Sequence, residues 1–476
     1  MQDNIQEENK NNTPKPKLSV TGYRAIWGTD LNEQIVYTYA RAYAKTVKEK
    51  YSEKKESLKI LIGRDGRTTG PLILGAIRQA FKDEGIEITY AGILPTPTML
   101  LLVKKLNFDA GVMITASHNP IEYNGIKFIV AGGRLTNADE TSEIQKYFDN
   151  LTFEEKFIDI NLLEKIEPNI DNTEYRKIHI DEILKNIDAE LIKSKKFKVA
   201  LDPINSGGSI ITQELLKELN CEVFVINGEM TGLFAHRPEP LPENLEQIAK
   251  FTLEKNCDIG FAQDPDADRL VVVNEKGIVV SEECTLALCV KNVLNKTPGD
   301  LVINLSTSSM SADIAKGLGR KVYRTKIGEA NVVQKILEIN APIGGEGSSG
   351  AIYPSVNTAR DSLVGIALTL ELLAKENKKI SDIENELPKY FMRKDTWPMG
   401  MDLNVMYKNI KIHFKETNQN PEINEDDGIR LDFTDTSWIH MRPSNTEPII
   451  KLFGEAKTLE RLNALFDELK LTLKAK

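Results

Sequence analysis

One pattern of apolar and polar positions recurs three times along the chain. A short apolar run leads into a polar turn, then into apolar residues at helical spacing, then into a second β-rich run. In the first copy Leu58–Ile62 reads as a strand and Gly63-Arg64-Asp65-Gly66-Arg67 as the turn. Leu72, Ile73, Ala76, Ile77 and Ala80 form the buried face of a helix, which Gly85 ends before the strand Glu87–Tyr90. In the second copy Val199–Leu201 meets the turn Asp202-Pro203-Ile204-Asn205-Ser206-Gly207-Gly208. A helix burying Ile211, Leu215, Leu216 and Leu219 follows, then the strand Cys221–Ile226. The third copy runs from Leu301–Ile303 through Asn304-Leu305-Ser306-Thr307-Ser308, a helix ending near Gly317–Gly319, and Lys321–Tyr323. Strand–helix–strand order implies parallel pairing, since antiparallel hairpins need no helix between their strands. Three α/β domains of similar build are expected.

The C-terminal part follows another pattern. Ile429, Leu431 and Phe433 alternate with polar neighbours, which predicts a half-exposed strand. Trp438–Met441 and Ile449–Phe453 predict two more strands, and Thr458 opens a helix carrying Leu459, Leu462, Leu465, Phe466 and Leu469. Strands followed by a helix predict a small α+β domain. The expected division is a solvated tail at 1–17, α/β domains at 18–168, 169–280 and 281–392, and a C-terminal domain at 393–476. Linkers are expected at Glu167–Thr173 and around Arg393–Met399.

Composition narrows the function. With 61 Lys and Arg against 70 Asp and Glu in 476 residues, the net charge of −9 disfavours a nucleic-acid partner. Small anionic substrates stay open. The cysteines at 221, 257, 284 and 289 form no C-x-x-C pair, so neither a disulfide framework nor a zinc site is expected. No apolar run approaches the ~20 residues of a membrane span, and Met1–Lys17 lacks the apolar stretch of a signal peptide. A cytoplasmic protein with no membrane partner is expected.

Four segments carry candidate chemistry. Thr115-Ala116-Ser117-His118-Asn119-Pro120 is a polar turn after the apolar strand Val112–Ile114. It exposes a serine at a strand end, where α/β proteins place ligands, with His118 and Lys127 as proton-transfer candidates. The alternative is an N-cap and turn cluster. Asp264-Pro265-Asp266-Ala267-Asp268-Arg269 sets three carboxylates at alternate positions, which face one way in an extended segment. They repel unless a cation lies among them, and an all-oxygen set suits Mg²⁺; the alternative is a solvated acidic turn. Gly344-Gly345-Glu346-Gly347-Ser348-Ser349-Gly350 lets backbone approach a ligand and offers acceptors and donors for sugar hydroxyls, although glycine-rich loops are common. Arg442-Pro443-Ser444-Asn445-Thr446-Glu447-Pro448 offers a guanidinium, hydroxyls, an amide and turn N–H groups to phosphate oxygens, or is an ordinary proline-bounded turn. The chain has no G-x-x-x-x-G-K-[ST], so nucleotide hydrolysis has no support. Together the four supply a nucleophile, a metal, hydroxyl recognition and phosphate recognition, which suit phosphoryl transfer on a phosphorylated polyol.

In these segments the chain resembles the α-D-phosphohexomutase superfamily, from about Val20 to the end. T-A-S-H-N-P matches at Thr115–Pro120, D-x-D-x-D-R at Asp264–Arg269, G-E-x-S at Gly345–Ser348 and R-P-S-x-T-E-P at Arg442–Pro448, in family order. The resemblance implies three similar mixed-sheet α/β domains plus a smaller C-terminal α+β domain around a central cleft. It implies that Ser117 is the phosphoserine and that Asp264, Asp266, Asp268 and the seryl phosphate hold Mg²⁺. Lys127, Arg24 and Arg269 would flank the transfer centre, with Lys127 and His118 moving protons. Glu346 and Ser348 would grip the sugar of the phosphosugar substrate, and Arg442, Ser444, Asn445 and Thr446 its unreacting phosphate. Phosphate would move between O1 and O6 through a hexose 1,6-bisphosphate. Two positions depart from relatives: many bacterial members carry histidine where this chain has Gly350, and other members carry it where this chain has Glu329. With Arg360-Asp361, the glycine-rich loop is more similar to archaeal-type phosphoglucosamine mutases, a slight lean over phosphomannomutase or phosphoglucomutase specificity. The rival readings are a haloacid-dehalogenase-like phosphatase with Asp264 as nucleophile and an inactive sugar-phosphate binder. The intact Ser117 and aspartates weigh against both. Hexose choice and oligomeric state, monomer or homodimer, do not follow from these residues.

Overall fold

The computed structural model describes residues 17–20, 22–51, 55, 57–163, 170–348, 350–400, 402–444 and 449–474. Apart from Lys17, the expected N-terminal tail lies outside the described residues, as does the first half of the Glu167–Thr173 linker. Among the described residues the strands form four sheets. The first holds β1 (Tyr23–Ile26), β2 (Lys59–Arg64), β3 (Glu87–Ile93), β4 (Ala110–Ile114), β5 (Tyr123–Val130) and β6 (Arg134–Leu135). The second holds β7 (Lys198–Asp202), β8 (Glu222–Val225), β9 (Ile259–Gln263) and β10 (Leu270–Asn274), and the third β11 (Leu301–Asn304), β12 (Val322–Thr325), β13 (Ile343–Glu346) and β14 (Gly350–Ile352).

These three sheets share one plan. Each repeat strand runs parallel to the next, as β2 with β3, β7 with β8 and β11 with β12. On its other side it runs parallel to β4, β9 or β13. That strand then turns back antiparallel into β5, β10 or β14. The repeat helices form as the apolar spacing predicts, over Gly70–Asp83, Ser209–Glu218 and Ser309–Gly317. They bury Ile73, Ala76, Ile77 and Ala80 in the first case and Ile211, Leu215 and Leu216 in the second. One continuous apolar core runs from Ile180 to Leu387 across the second and third sheets, while the first sheet and the C-terminal part have cores of their own.

The fourth sheet is antiparallel. It comprises β15 (Phe391–Pro398), β16 (Glu422–Asn424), β17 (Ile429–Asp432), β18 (Trp438–Pro443) and β19 (Ile449–Ala456), in the order β15-β19-β18-β17-β16. The helices Leu403–Glu416 and Leu459–Lys474 pack on it through Met406, Ile410, Phe414, Leu462, Leu465, Phe466 and Leu469. Two expectations fail here. The stretch around Arg393–Met399 is not a linker: Phe391–Pro398 pairs along its whole length with β19. It is an edge strand with no fully buried residue, so its middle, Arg393–Thr396, is polar, and Pro398 is tolerated at its end. Nor is β17 half-exposed, because Arg430 on its polar side is buried. Its guanidinium stacks 4.1 Å from the Trp438 ring and donates to the Leu305 carbonyl of the third repeat turn.

Candidate active site

The serine, acidic and glycine-rich segments occupy equivalent places in the fold. Each follows the last parallel strand of its sheet and precedes the antiparallel strand: β4 to β5, β9 to β10, β13 to β14. Carboxyl ends of parallel strands are where α/β sheets bind ligands. Each loop is also braced by the polar turn of its own repeat. Arg67 Nη1 and Nη2 donate to the carbonyls of Pro120, Tyr123, Ser117 and Asn119 at 2.6–2.8 Å, and its Nε pairs with Asp65 at 3.1 Å. In the second repeat Ser206 Oγ and the Gly207 amide both donate to the Pro265 carbonyl, at 2.7 and 3.0 Å. In the third, Asn304 Nδ2 donates to Glu346 Oε1 at 2.9 Å and Thr307 Oγ1 accepts from the Gly347 amide at 3.1 Å.

Ser117 has a left-handed backbone, φ +49°. That conformation costs a non-glycine residue about 1 kcal/mol or more, a strain typical of functional turns. It is held by the Ser117 amide donating to Thr115 Oγ1 (2.8 Å), whose hydroxyl donates to Asp65 (2.6 Å). The buried hydroxyl of Ser117 donates to Asp264 Oδ2 at 3.1 Å and lies 3.4 Å from His118 Nδ1. Burial and the cations of Arg269, Arg24 and Arg360 hold the His118 imidazole well below its usual pKa. It is therefore neutral at pH 7, and these same cations make it a weaker base than a free imidazole.

The three carboxylates of Asp264, Asp266 and Asp268 converge, with oxygens within 4.8 Å of one another, though not by strand alternation. Residues 264–269 form a turn in which Ala267 adopts φ +52°. The amides of Asp268 and Arg269 both curl back to donate to Asp264 Oδ1 at 3.1 Å. Lys127, on β5 and 1% exposed, sets its Nζ 2.6 Å from Asp266 Oδ2 and 3.8 Å from Asp268 Oδ2. Burial raises the Asp264 carboxyl well above the usual range, and the neighbouring Asp268 and Asp266 charges add to this. Burial acts on Asp266 too, but the Lys127 ammonium overrides it and holds that carboxyl well below. Asp266 Oδ1 and Asp268 Oδ1 are buried without a hydrogen-bond partner. Crowded hard oxygen donors with orphaned lone pairs fit a divalent cation such as Mg²⁺. The buried Nε atoms of Arg24, on β1 opposite Gly125 of β5, and of Arg269 also lack partners. Arg269 Nη1 lies 3.4 Å from Glu239, which is 3.9 Å from His118 Nε2.

The glycine-rich loop joins this cluster through Arg360, a residue named beside that loop in the sequence but given no role there. Arg360 Nη2 pairs with Asp268 at 2.7 Å, its Nε with Glu329 at 2.9 Å, and its Nη1 lies 3.6 Å from Glu346. Burial alone would weaken its protonation, but Asp268, Glu346 and Glu329 hold it charged. A Cβ on Gly350 would stand 2.3 Å from Arg360 Cδ, so the glycine admits the guanidinium. Gly350 and Glu329 thus both serve Arg360. Ser348 lies half-buried in the turn beyond Glu346. Arg442, on β18, donates from Nε to Asp427 Oδ1 at 3.1 Å. Asp427 Oδ2 accepts from the Ile327 amide (2.9 Å), and the adjoining Gly328 amide donates to Glu346 (3.0 Å), which links Arg442 to the glycine-rich loop. Ser444 follows β18; Asn445 and Thr446 lie outside the described residues.

Comparison with known proteins matches four successive family models. They are described as phosphoglucomutase/phosphomannomutase alpha/beta/alpha domains I, II and III, over residues 16–155, 177–277 and 282–391, and the C-terminal domain over 401–471. The chain belongs to the phosphoglucomutase/phosphomannomutase family. Among its relatives, a phosphoglucomutase/phosphomannomutase of Thermococcus kodakarensis is 33% identical over 443 residues, 92% of this chain and 94% of that protein. A phosphoglucosamine/phosphogalactosamine mutase of Sulfurisphaera tokodaii is 33% identical over 468 residues, 96% and 98% of the two chains. A crystal structure of a phosphoglucomutase/phosphomannomutase family protein from Burkholderia thailandensis superposes with a TM-score of 0.79 at 25% identity, covering 96% of this chain and 98% of that one.

Beyond the family's motifs, the site draws on Arg67, Thr96, Glu239 and Arg360. Thr96 donates to Asp266 Oδ2 from its hydroxyl at 2.5 Å, and its amide donates to the Asp266 carbonyl at 2.9 Å. Arg67 stands in the first repeat turn, a polar turn at a strand's carboxyl end, and Arg360 in the stretch that resembles archaeal-type relatives, so each has a sequence signal. Thr96 and Glu239 carry none, because only tertiary packing brings them to the aspartates and to His118.

Proposed function

We propose that the protein interconverts hexose 1-phosphates and hexose 6-phosphates through a phosphoserine at Ser117, with a slight preference for glucosamine phosphate. The observation that carries this reading is the Ser117 hydroxyl hydrogen-bonded to Asp264 of another domain, on a strained turn, inside a cluster of aspartates and cations.

In the first half-reaction the bond between phosphorus and Ser117 Oγ breaks as one forms to a hydroxyl oxygen of the bound hexose monophosphate. The sugar's hydroxyl proton is accepted locally, and one ends on Ser117 Oγ. His118, neutral and beside that oxygen, and Lys127 are the proton-transfer pair. The product of this half is a hexose 1,6-bisphosphate. After it turns over in the cleft, the same step runs in reverse with the other phosphate and restores the phosphoserine. Asp264, Asp266 and Asp268, with the seryl phosphate, would hold Mg²⁺, which when bound neutralises charge on the transferring group. Arg24 and Arg269 set unpartnered guanidinium donors beside it. Glu346 and Ser348 take the sugar hydroxyls, and Arg442, Ser444, Asn445 and Thr446 the phosphate that does not react.

Asp264 is a poor alternative nucleophile. Both its oxygens already accept hydrogen bonds, from Ser117 and from two backbone amides. Of the two specificities, the glucosamine one is favoured by the similarity of the glycine-rich loop, with Arg360-Asp361, to archaeal-type phosphoglucosamine mutases. The four free cysteines accord with a reducing cytoplasm, and among the described residues no helix is long and apolar enough to cross a membrane. The test is turnover of the 6-phosphates of glucosamine, N-acetylglucosamine, glucose and mannose side by side, each started with its bisphosphate. The highest kcat/KM is expected for glucosamine. No turnover of any would contradict the proposal.

A further inference from the structure

The acidic turn that would hold Mg²⁺ belongs to the second domain, but two neighbouring domains clasp it. From the first domain comes the start of helix Thr96–Lys105, where Thr96 binds Asp266 through both hydroxyl and amide. From the third come Arg360, bound to Asp268, and Ser362, whose hydroxyl donates to the Ala267 carbonyl at 2.6 Å. A single buried imidazole joins the two clasps. His179, on helix Thr173–Leu184, places Nδ1 2.9 Å from Thr98 Oγ1 and Nε2 2.9 Å from Asp361 Oδ2. Thr98 stands two residues after Thr96 in the same helical turn, and Asp361 is the residue after Arg360. Asp361 is itself fixed, since its Oδ1 caps helix Ser362–Glu376 at the amides of Leu363 and Val364. A carboxylate only accepts, so Nε2 carries a proton, and in the neutral ring Nδ1 accepts from the Thr98 hydroxyl. His179, Thr98 and Asp361 are all buried, so no water replaces these bonds when one is removed.

We infer that His179 is a positioning residue that sets the geometry of the Asp264–Asp266–Asp268 turn by fixing Thr96 and Arg360 relative to each other. The inference rests on the proposed role of that turn. It touches no substrate, and neither Thr98 nor Asp361 reaches the reacting atoms. Its effect passes through one residue on each side to two carboxylates that must meet one cation and one seryl phosphate. Displacement of such a constellation by an ångström lowers rates by about a hundredfold while binding contacts elsewhere survive.

The experiment compares the full-length protein with His179→Ala, His179→Gln and Thr98→Val. Three readings are taken on each: the unfolding temperature, the Mg²⁺ concentration giving half of the maximal thermal shift, and kcat and KM for the hexose 6-phosphate. For His179→Ala kcat is expected to fall ~10–100-fold with KM changed by less than about threefold, and the Mg²⁺ midpoint to rise by about tenfold. Thr98→Val, which cuts one arm and keeps the volume, should move kcat and the midpoint the same way by less. His179→Gln, which can still donate to Asp361, should recover most of kcat. A lower unfolding temperature in Thr98→Val or His179→Ala with kcat and Mg²⁺ midpoint unchanged would overturn the inference. Should His179→Ala not fold, Thr98→Val decides alone. Absence of mutase turnover in the wild type would count against the proposed function instead, and the Mg²⁺ midpoints would still report on His179.

Discussion

Ser117 and Asp264, 147 positions apart in the chain, share a 3.1 Å hydrogen bond across the boundary between two domains. The donor is the proposed phosphate acceptor, and its partner is a carboxylate already crowded by Asp266 and Asp268. A phosphate on that oxygen would add about two charges to the cluster. The phosphorylated protein should therefore bind Mg²⁺ at least about tenfold more tightly than the dephosphorylated one. Calorimetric titration of the two forms measures this, and equal affinities would place the ion away from Ser117.

Lys127→Met should separate charge from packing. Removing one partner of a buried ion pair generally costs about 3–5 kcal/mol, because the other charge is left stranded. Here Asp266 would be left beside Asp264 and Asp268 with Thr96 as its remaining side-chain donor. The variant should unfold at a lower temperature without Mg²⁺, recover much of the loss when Mg²⁺ is added, and stay inactive. Thermal melts with and without Mg²⁺ check it. An Mg²⁺ response equal to wild type would show that Lys127 and the ion do not share the aspartates.

Arg67 supports the serine loop through carbonyl oxygens, with no contact to the Ser117 hydroxyl. Lysine keeps the charge but cannot present five donors in a planar fork. Arg67→Lys should lower stability by roughly 2–3 kcal/mol, through four carbonyls losing a buried donor. It should also cut kcat more than tenfold as Ser117 relaxes from its left-handed backbone. Denaturant melts and initial rates test both halves.

The glycine-rich loop carries a pH dependence. Glu283 lies beneath it, accepting from the Ser308 amide at 2.9 Å, and a Cβ on Gly347 would come within 2.0 Å of its carboxylate. Burial pushes the Glu283 carboxyl up to about 8, with Lys394 opposing and Glu282 adding to the shift. The folded protein then keeps a proton that the unfolded chain releases near pH 4.5, so stability falls as pH rises from there to about 8. His440 works in the opposite sense at lower pH. Burial pulls it to about 4, so the unfolded chain takes up the proton first and stability falls as pH drops from 6.5 to 4. Between pH 6.5 and 8 only the glutamate of this pair titrates. Over that window Glu283→Gln should show a flatter decline in unfolding temperature than wild type. Parallel curves would mean that Glu283 is ionised throughout.

Much of this architecture was legible in the apolar spacing, and the reasons for the misses are physical. The helices at 70–83, 209–218 and 309–317 each bury one regular face, so periodicity alone finds them. Phe391–Pro398 escapes because this edge strand buries no residue fully, with one face half-buried and the other exposed, and needs no apolar pattern to pair with β19. Arg430 looks solvent-facing until the third domain's Leu305 carbonyl and the Trp438 ring close over it. At the site, the motifs pick out the residues that would touch substrate and metal. Alternation correctly groups the three aspartates but for the wrong reason, since a turn through Ala267 gathers them. Thr96, His179 and Glu239 leave no sequence signal, because a supporting side chain is defined by what packs against it across a domain boundary.

The most direct test of the account is to incubate the protein with hexose 1,6-bisphosphate and Mg²⁺ and locate any covalent phosphate by peptide mass spectrometry. The phosphorylated protein is then chased with hexose 6-phosphate. One phosphoryl group is expected on Ser117, stable to hydroxylamine, transferred stoichiometrically to the sugar in the chase, and absent from Ser117→Ala, which should keep its fold and lose turnover. A phosphate on Asp264, or full turnover in Ser117→Ala, would contradict it.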